Sequence, residues 1–385
     1  MRRTAYAYAW DMLDAGRARG DLEEAGLDGV TVSAAYHAGK FITPGGASGR
    51  VAFPEDGTIT FRHDPSRYGA LAPLPHTLLE RADPLADLAS AGLPVTAWVV
   101  LLHNSRLGFA HPERCARNAF GDPYLYALSP ADEAVRAFAV ALVADLGARH
   151  ELEAVVLETP GLLPYVHGFH HEFQLVALNG WLTTLLGLSF TETEVAGAMA
   201  AGIDARSLRA RVAARIDAYL AAPVDAAPEV AAEWMLADLV GDLAELGPYV
   251  RWQAARVTAL VAEIRAALRP EVALGVIPTV QRPTAASWRE GTDLRALRAA
   301  ADFLEVPFYE PDPGRVVADR LDVAQRAGEG ATGAILRPAH PDMRGVGAIR
   351  AHVAAVAGDD LMRLSFYNWG MLRAPDRAAL REALA

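Results

Sequence analysis

The chain has 385 residues, of which 52% are hydrophobic and 22% are charged. This composition is typical of a folded protein with one large domain or two ordinary ones, and it excludes intrinsic disorder. The formal net charge is −11 and no basic stripe runs along the chain, so we expect neither nucleic acid nor an anionic membrane as a partner. No apolar run reaches the ~18 residues that a membrane-spanning helix needs.

The N-terminal residues 1–14 contain a short apolar run that Asp11 interrupts. We interpret this run as a first strand and not as a signal peptide, because no small-residue cleavage site follows it. Cys115 is the only cysteine, so no internal disulfide can form, which favours a cytoplasmic location. The sequence leaves open whether identical chains associate into a homo-oligomer.

Eight apolar runs are predicted to be strands, and amphipathic helical patterns lie between them. The strands are predicted at residues 4–10, 29–36, 94–102, 152–158, 271–279, 301–309, 332–338 and 361–368. Their nearly continuous apolar character is typical of strands buried on both faces of a parallel sheet. The alternation predicts a closed (β/α)₈ TIM barrel. An open doubly wound sheet is disfavoured because Trp10, Asp11 and Met12 stand where a glycine-rich phosphate-binding turn would follow the first strand.

Two connections are too long for ordinary loops of such a barrel. Residues 37–82 follow strand 2 and contain the alternating segment 50–64, which is predicted to form a β-hairpin. Residues 159–248 follow strand 4 and are predicted to form a helical insertion, in which Thr191 and Glu194 have the spacing of a capping box. Both insertions follow the carboxyl ends of strands, so we expect them on one face of a single barrel domain spanning residues 1–385.

Glu158 ends the apolar run of strand 4, and the active sites of such barrels lie where the strands end. A partly buried glutamate has a raised pKa and can act as a general acid. The structural alternative is an ion pair with an arginine such as Arg337. Cleavage of a glycosidic bond needs a second carboxylate, for which Asp11, Glu172 and Glu310 are the candidates. Asp11 and Glu310 could instead cap the helices that follow them.

Three histidines and one glutamate stand within a stretch of six residues after strand 4. They are His167, His170, His171 and Glu172. These side chains could bind a metal ion, bind the hydroxyl groups of a substrate, or pack this segment against the insertion. Gly168 disfavours a helix here and the spacing is not that of a zinc protease, so we favour contact with substrate.

Three segments carry a resemblance to a known group of proteins: residues 114–138, 157–173 and 364–372. Together they resemble bacterial TIM-barrel proteins described as glycoside hydrolases, and the resemblance extends through most of the chain. It implies the barrel fold and matches Glu158 to the carboxylate that ends strand 4, where many barrel glycoside hydrolases carry their acid/base glutamate. The nucleophilic glutamate that commonly ends strand 7 is absent, since that strand end offers only Arg337 and His340.

These observations predict a carbohydrate-active hydrolase that needs no cofactor or metal and acts on a small-molecule or oligosaccharide substrate. Glu158 is the predicted proton donor, with Asp11 or Glu310 as the second carboxylate. The residues predicted to bind substrate through hydroxyl contacts or ring stacking are Trp10, Tyr36, His37, His103, Asn104, His167, His170, His171, Glu172, Tyr309, Arg337, Tyr367, Asn368 and Trp369.

Two alternatives remain open at this stage. The first is a metal-dependent sugar isomerase or hydrolase with Glu158, His167, His171 and Glu172 as ligands. The absence of a carboxylate at the end of the predicted fifth strand, residues 271–279, counts against the usual sugar isomerases. The second is a barrel that binds a glycan without cleaving it.

Overall fold

A computed structural model of the chain describes residues 1–45, 49–168, 174–223 and 225–385. Eight parallel strands form a closed barrel, because each pairs with its neighbours in the chain and the last pairs with the first. They are β1 (Arg2–Ala7), β2 (Gly29–Tyr36), β3 (Val95–Val100), β4 (Ala154–Glu158), β5 (Ala273–Val276), β6 (Phe303–Pro307), β7 (Thr332–Leu336) and β8 (Leu361–Phe366). Each strand overlaps its predicted run, and the predicted (β/α)₈ barrel is confirmed.

Thirteen α-helices occur in the described ranges. They are α1 (Ala15–Glu24), α2 (Pro84–Ser90), α3 (Ser105–Ala110), α4 (Glu133–Arg149), α5 (Gly180–Gly187), α6 (Glu192–Ala200), α7 (Ala205–Leu220), α8 (Pro228–Val240), α9 (Leu246–Ala267), α10 (Leu294–Ala300), α11 (Pro313–Ala327), α12 (Gly345–Val356) and α13 (Ala374–Leu384). The outer ring of the barrel consists of α1, α2, α4 and α9 to α13. None of the described helices combines the length and the apolar character needed to cross a lipid bilayer.

Aspartate side chains determine where several helices of the outer ring begin. Asp14, Asp83, Asp132, Asp293 and Asp312 each accept a hydrogen bond from a backbone N–H in the first turn of the following helix. Such N-caps satisfy donors that have no partner inside the helix.

Short 3₁₀ helices also occur, at Ala9–Asp11, Pro65–Arg67, Thr77–Glu80, Pro112–Arg114, Thr284–Glu290 and Trp369–Met371.

The barrel strands separate two hydrophobic cores, because successive side chains of a strand face opposite sides. Outward-facing residues such as Val32 and Leu157 pack against the ring of helices. Inward-facing residues fill the lumen, which is rich in aromatic rings. This lumen core contains Tyr6, Tyr8, Trp10, Tyr36, Trp98, Val100, Ala154, Val156, Ile277, Phe303 and Ile335.

The connection after β2 contains short strands, but their pairing differs from the prediction. Phe41–Ile42 pairs with Val51–Ala52, whereas Thr58–Ile59 pairs with the end of β2 and with Leu74–Pro75. The predicted strand pair within residues 50–64 is therefore wrong. The physical reason is burial: Thr58 to Phe61 are buried, so this half of the segment extends the barrel sheet and does not turn back on residues 51–52.

Two further connections carry additional structure. The connection after β3 contains α3 and an antiparallel ribbon of Cys115–Arg117 with Pro123–Leu128, which the sequence analysis did not predict. The chain between β4 and α9 contains α5 to α8, which pack around a core of their own that includes Trp181 and Tyr249. The predicted capping box of Thr191 and Glu194 is confirmed at the start of α6.

The opening of the barrel at the carboxyl ends of the strands is called the mouth below. A buried polar network crosses the lumen at some distance from this mouth. The Arg363 guanidinium donates hydrogen bonds to the hydroxyls of Thr31 at 3.0 Å and Thr96 at 2.6 Å. Arg363 Nε lies 3.5 Å from Glu305 Oε1, and Ser365 donates to the same carboxylate. Glu305 and Arg363 are both buried, so each depends on the other for compensation of its charge.

We predict that Arg363→Met lowers the free energy of unfolding by about 3–5 kcal/mol, because it leaves the Glu305 carboxylate buried without its cation. The double variant Arg363→Met/Glu305→Gln should recover part of this loss, since it removes the uncompensated charge. The midpoints of urea-induced unfolding, followed by circular dichroism, check both variants. A double variant less stable than the single variant would contradict this account.

Candidate functional site

Glu158 points into the mouth of the barrel. It lies two residues after Val156, which faces the lumen, so the alternation of the strand turns Glu158 to the same side. On the neighbouring strand β3, Trp98 lies opposite Val156 and Val100 lies opposite Glu158. This register allows Trp98 Nε1 to donate a hydrogen bond of 2.7 Å to Glu158 Oε2. Glu158 keeps a partly exposed surface, so the mouth gives access to its side chain.

The environment of Glu158 favours the protonated acid. Burial raises the pKa of the Glu158 carboxyl to about 7, although the hydrogen bond from Trp98 acts in the opposite direction. Protein atoms replace much of the water that would solvate the ionised form, which is the usual cause of such a shift. A substantial fraction of Glu158 therefore carries a proton at neutral pH.

Three tyrosine hydroxyls meet near Glu158. Tyr8 Oη lies 2.9 Å from Tyr367 Oη and 3.3 Å from Tyr36 Oη. Burial raises the pKa of Tyr36 and of Tyr367, and the neighbouring Glu158 carboxylate raises both further. Burial raises the pKa of Tyr8 as well, so all three hydroxyls stay protonated. Tyr367 is partly exposed and can donate a hydrogen bond to a ligand, whereas Tyr8 is fully buried.

The rings of Tyr36 and Trp10 belong to the same aromatic cluster. Tyr36 turns into the lumen because the pairing of β2 with β3 shifts between Ser33 and Ala35, and such an irregularity changes which side of the strand a residue faces. The Trp10 ring stacks on the Tyr8 ring at a centroid distance of 4.7 Å. Trp10 and Tyr36 are each 6% exposed, so their rings pack mainly against neighbouring protein atoms and only a small part of them could contact the C–H surface of a sugar.

Arg337 and Tyr309 form the opposite part of the mouth, at the ends of β7 and β6. The Arg337 guanidinium lies 4.5 Å from the centroid of the Tyr309 ring. It donates two hydrogen bonds to Asp342, of 2.7 and 2.8 Å. Arg337 therefore forms its ion pair with Asp342. The structural alternative for Glu158 had required Arg337 to pair with Glu158 instead.

Three histidines from three different connections lie together at the mouth. The His37 ring stacks on the Tyr36 ring at 4.4 Å and on the His103 ring at 4.2 Å, and the His167 ring lies 5.4 Å from that of His103. The predicted residues His170, His171 and Glu172 lie outside the described residues. Among the residues that the structure describes, no group of three or more histidine, cysteine or acidic side chains could hold a metal ion.

Asp11 does not face Glu158. It lies on the 3₁₀ helix Ala9–Asp11, beyond the end of β1, and its carboxylate packs against Gly370 so closely that a Cβ at Gly370 would lie 1.8 Å from Oδ2. Asp11 lines a cavity of about 120 Å³ together with Arg17 and Arg377. Burial raises the pKa of the Asp11 carboxyl to about 6, and the Arg377 guanidinium opposes this shift.

Glu310 lies in the connection that follows β6, and its side chain is directed to another cavity. It follows the inward-facing Tyr309, and it lines a cavity of about 530 Å³ between the 3₁₀ helix Thr284–Glu290 and α11. Its carboxylate lies 3.7 Å from the Arg315 guanidinium and 4.0 Å from that of Arg282. The structure therefore brings neither of the two preferred second carboxylates to the predicted proton donor.

Three other predicted residues serve the local structure. Asn104 caps α3, since its Oδ1 accepts a hydrogen bond of 2.9 Å from the backbone N–H of Leu107. Asn368 Oδ1 accepts a hydrogen bond of 3.2 Å from Gly370 N. Trp369 lies in the outer core with the Arg377 guanidinium 4.4 Å from its ring centroid. This position does not support the stacking on substrate that we predicted for Trp369.

The sequence analysis missed Trp98, Tyr8 and Glu290. Trp98 lies inside a strand and Tyr8 lies before the residues that we took as the end of β1. The alternation of aromatic residues with alanine in the segment AYAYAW, residues 5–10, is the signal that could have placed Tyr8 on the lumen side with Trp10. Glu290 lies on a 3₁₀ helix far along the chain, and its backbone carbonyl accepts a hydrogen bond of 2.9 Å from the N–H of Leu162 in the connection after β4. Nothing in the sequence indicates this contact.

Comparison with known proteins finds similarity in fold. No family model matches the chain, and no curated protein matches its sequence. The glycoside hydrolase domain of PgaB (BpsB) from Bordetella bronchiseptica superposes with a TM-score of 0.60 at 13% identity, over 100% of this chain and 99% of that one. The catalytic domain of the β-amylase from Paenibacillus polymyxa gives a TM-score of 0.59 at 10% identity, over 99% of this chain and 97% of that one.

A third structure, the β-galactosidase from the psychrophilic Marinomonas ef1, gives a TM-score of 0.57 at 12% identity, over 100% of this chain and 59% of that one. At these levels of identity the similarities concern the fold alone. The chain therefore has a TIM barrel of the kind found in glycoside hydrolases.

We predict that Trp98→Phe raises the pKa of Glu158 further, by about one pH unit, because it removes a hydrogen bond that stabilises the ionised carboxylate. The ¹³C chemical shift of the Glu158 carboxyl carbon, followed against pH, measures this change. Trp234→Phe is the matched control, since Trp234 is partly exposed on α8 and lies in the helical insertion. An unchanged Glu158 titration in Trp98→Phe would show that the hydrogen bond does not control this group.

Proposed function

We propose that the chain is a glycoside hydrolase in which Glu158 donates a proton to the glycosidic oxygen. The observation that carries this proposal is the environment of Glu158, a partly exposed glutamate at the end of β4 whose pKa burial raises to about 7. A carboxylic acid that keeps its proton near neutral pH can protonate a leaving group as the bond breaks. The fold that the chain shares with glycoside hydrolases supports the same assignment.

The groups around Glu158 suit a sugar. The partly exposed Tyr367 can bind the polar edge of a pyranose through its hydroxyl, and Trp10 and Tyr36, each 6% exposed, can offer only a small aromatic surface to its C–H face. On the same side of the mouth, the partly exposed imidazole of His37 stacks on that of His103 and lies where it can contact a hydroxyl group. In this proposal a small-molecule glycoside or an oligosaccharide binds with its scissile oxygen at Glu158.

The second carboxylate is the other requirement for glycoside hydrolysis, whether it activates a water molecule or forms a covalent intermediate. Asp11 and Glu310 line peripheral cavities, so we do not assign this role to either. Glu172, which lies outside the described residues, is the remaining candidate from the sequence. We propose it as the second carboxylate, to be tested together with Glu158.

The two alternative functions make different predictions. A metal-dependent enzyme using Glu158, His167, His171 and Glu172 predicts about one equivalent of bound metal in protein purified without chelator, measured by elemental analysis. A non-catalytic barrel predicts that a glycan binds without turnover and that Glu158→Gln leaves binding unchanged. Hydrolysis by metal-free protein would contradict both.

We predict that Glu158→Gln lowers kcat/KM by roughly 10²–10⁴-fold on the glycoside that a substrate panel identifies, because an amide cannot supply the proton. Glu172→Gln should cause a comparable loss if Glu172 is the second carboxylate. Glu310→Gln is the matched control, since it makes the same chemical change in a different cavity. Full activity of Glu158→Gln, with a wild-type circular dichroism spectrum, would refute the proposed function.

A further inference from the structure

Thr159, which directly follows Glu158, has a backbone conformation that is unusual for its side chain. Its φ is 52°, in the left-handed region where a side chain branched at Cβ crowds the backbone. Every other residue with a positive φ in the described part of the chain is a glycine. Thr159 is 3% exposed, and its hydroxyl finds no hydrogen-bond partner among the described residues. This conformation is costly, so the contacts around Thr159 must hold it in place.

The hydrogen bonds at the end of β4 show what this conformation does. Successive carbonyl groups of a strand point to opposite neighbours. The Leu157 carbonyl accepts a hydrogen bond of 2.8 Å from the residue after β5, and the Glu158 carbonyl accepts one of 2.9 Å from Leu101 N, after β3. The Thr159 carbonyl should then turn back toward β5. It instead accepts a hydrogen bond of 3.2 Å from Leu102 N, again on the β3 side.

Two consecutive carbonyl groups therefore join the end of β4 to the connection that follows β3. Leu102 precedes His103, whose imidazole lies at the mouth. On the lumen side, the Glu158 carboxylate accepts a hydrogen bond of 2.7 Å from the Trp98 indole of the same strand β3. Glu158 is thus held to β3 through its side chain and through its own and the next carbonyl group.

The branched side chain of Thr159 limits the conformations that are open to this turn. A glycine at this position would adopt left-handed and extended conformations with similar ease. Threonine has fewer backbone and side-chain conformations, and in the folded protein the burial of its side chain and the hydrogen bond to Leu102 select one of them. The direction of the preceding residue, Glu158, is restricted with it.

We propose that Thr159 is a positioning residue for Glu158, whose left-handed backbone ends β4 and holds the Glu158 carboxylate against Trp98. The inference rests on the proposed function, in which Glu158 is the proton donor. A proton donor that is displaced from its place protonates the glycosidic oxygen less effectively. Loss of the restraint should therefore lower kcat more than it changes KM.

Thr159→Gly tests the restraint, because it removes the side chain that limits the turn. Thr159→Val is the matched variant, since it keeps the shape and the branch at Cβ and removes only the unpartnered hydroxyl. We expect Thr159→Gly to lower kcat by about 10–100-fold with little change in KM, and Thr159→Val to keep the wild-type kcat. Thr332→Gly makes the same chemical change at a buried position at the opposite end of the barrel, on β7, and serves as a control.

Two NMR signals report the position of Glu158 without any substrate. The ¹H–¹⁵N signal of the Trp98 indole, assigned by its loss in Trp98→Phe, reports the hydrogen bond to Glu158. The exchange of the Leu102 amide hydrogen with solvent reports the hydrogen bond to Thr159. At one fixed pH, Thr159→Gly should shift the indole signal and accelerate this exchange by about tenfold, whereas Thr159→Val should match the wild type. A role in stability alone would leave the indole signal unchanged.

A wild-type indole signal and a wild-type kcat in Thr159→Gly would overturn the proposal. Equal losses in Thr159→Gly and Thr159→Val would also overturn it, because the hydroxyl and not the backbone would then position Glu158. If Thr159→Gly does not fold, Thr159→Asn replaces it, since asparagine adopts the left-handed conformation without a branch at Cβ. The same losses are expected there, and their absence contradicts the proposal.

The proposed function fails separately. If the wild-type protein cleaves no glycoside while both NMR signals respond to Thr159→Gly and not to Thr159→Val, Thr159 positions Glu158 but Glu158 is not the proton donor of a glycoside hydrolase. In the wild type itself, a Leu102 amide hydrogen that exchanges as fast as an exposed one would show that the hydrogen bond to Thr159 is absent, and this result would overturn the positioning role.

Discussion

Every second side chain of a barrel strand points into the closed lumen, and this alternation determines which residues of the chain can meet. It turns Glu158 toward the mouth because Val156 faces the lumen. Asp11 and Glu310 lie beyond the ends of β1 and β6, where this alternation no longer applies, and their side chains line other cavities. The site therefore depends less on which polar residues follow the strands than on which of them point into the lumen.

The aromatic filling of the lumen gives this geometry its chemical consequence. A carboxyl group surrounded by aromatic rings loses the water that would stabilise its charge, so it retains a proton to higher pH than an exposed glutamate. The hydrogen bond from Trp98 limits this shift and fixes the orientation of the acid. The tyrosine hydroxyls around the same point also remain protonated, because burial raises their pKa values.

The barrel could be predicted from the sequence because its strands are buried on both faces and so appear as apolar runs between amphipathic helices. The position of Glu158 could be predicted because it ends such a run. The pairing of Thr58–Ile59 with β2 and the contact of Glu290 with the connection after β4 could not. Both depend on tertiary packing between segments whose local patterns carry no information about their partners. Trp369 shows the same limit, since an aromatic residue at a strand end can equally belong to the outer core.

The dependence of hydrolysis on the leaving group tests the role of Glu158 most directly. A series of aryl glycosides of the cleaved sugar, with leaving-group phenols of increasing pKa, would be compared in the wild type and in Glu158→Gln. If Glu158 donates the proton, the variant should lose little activity on the most acidic phenols and progressively more on the less acidic ones. An equal loss across the whole series would contradict proton donation by Glu158.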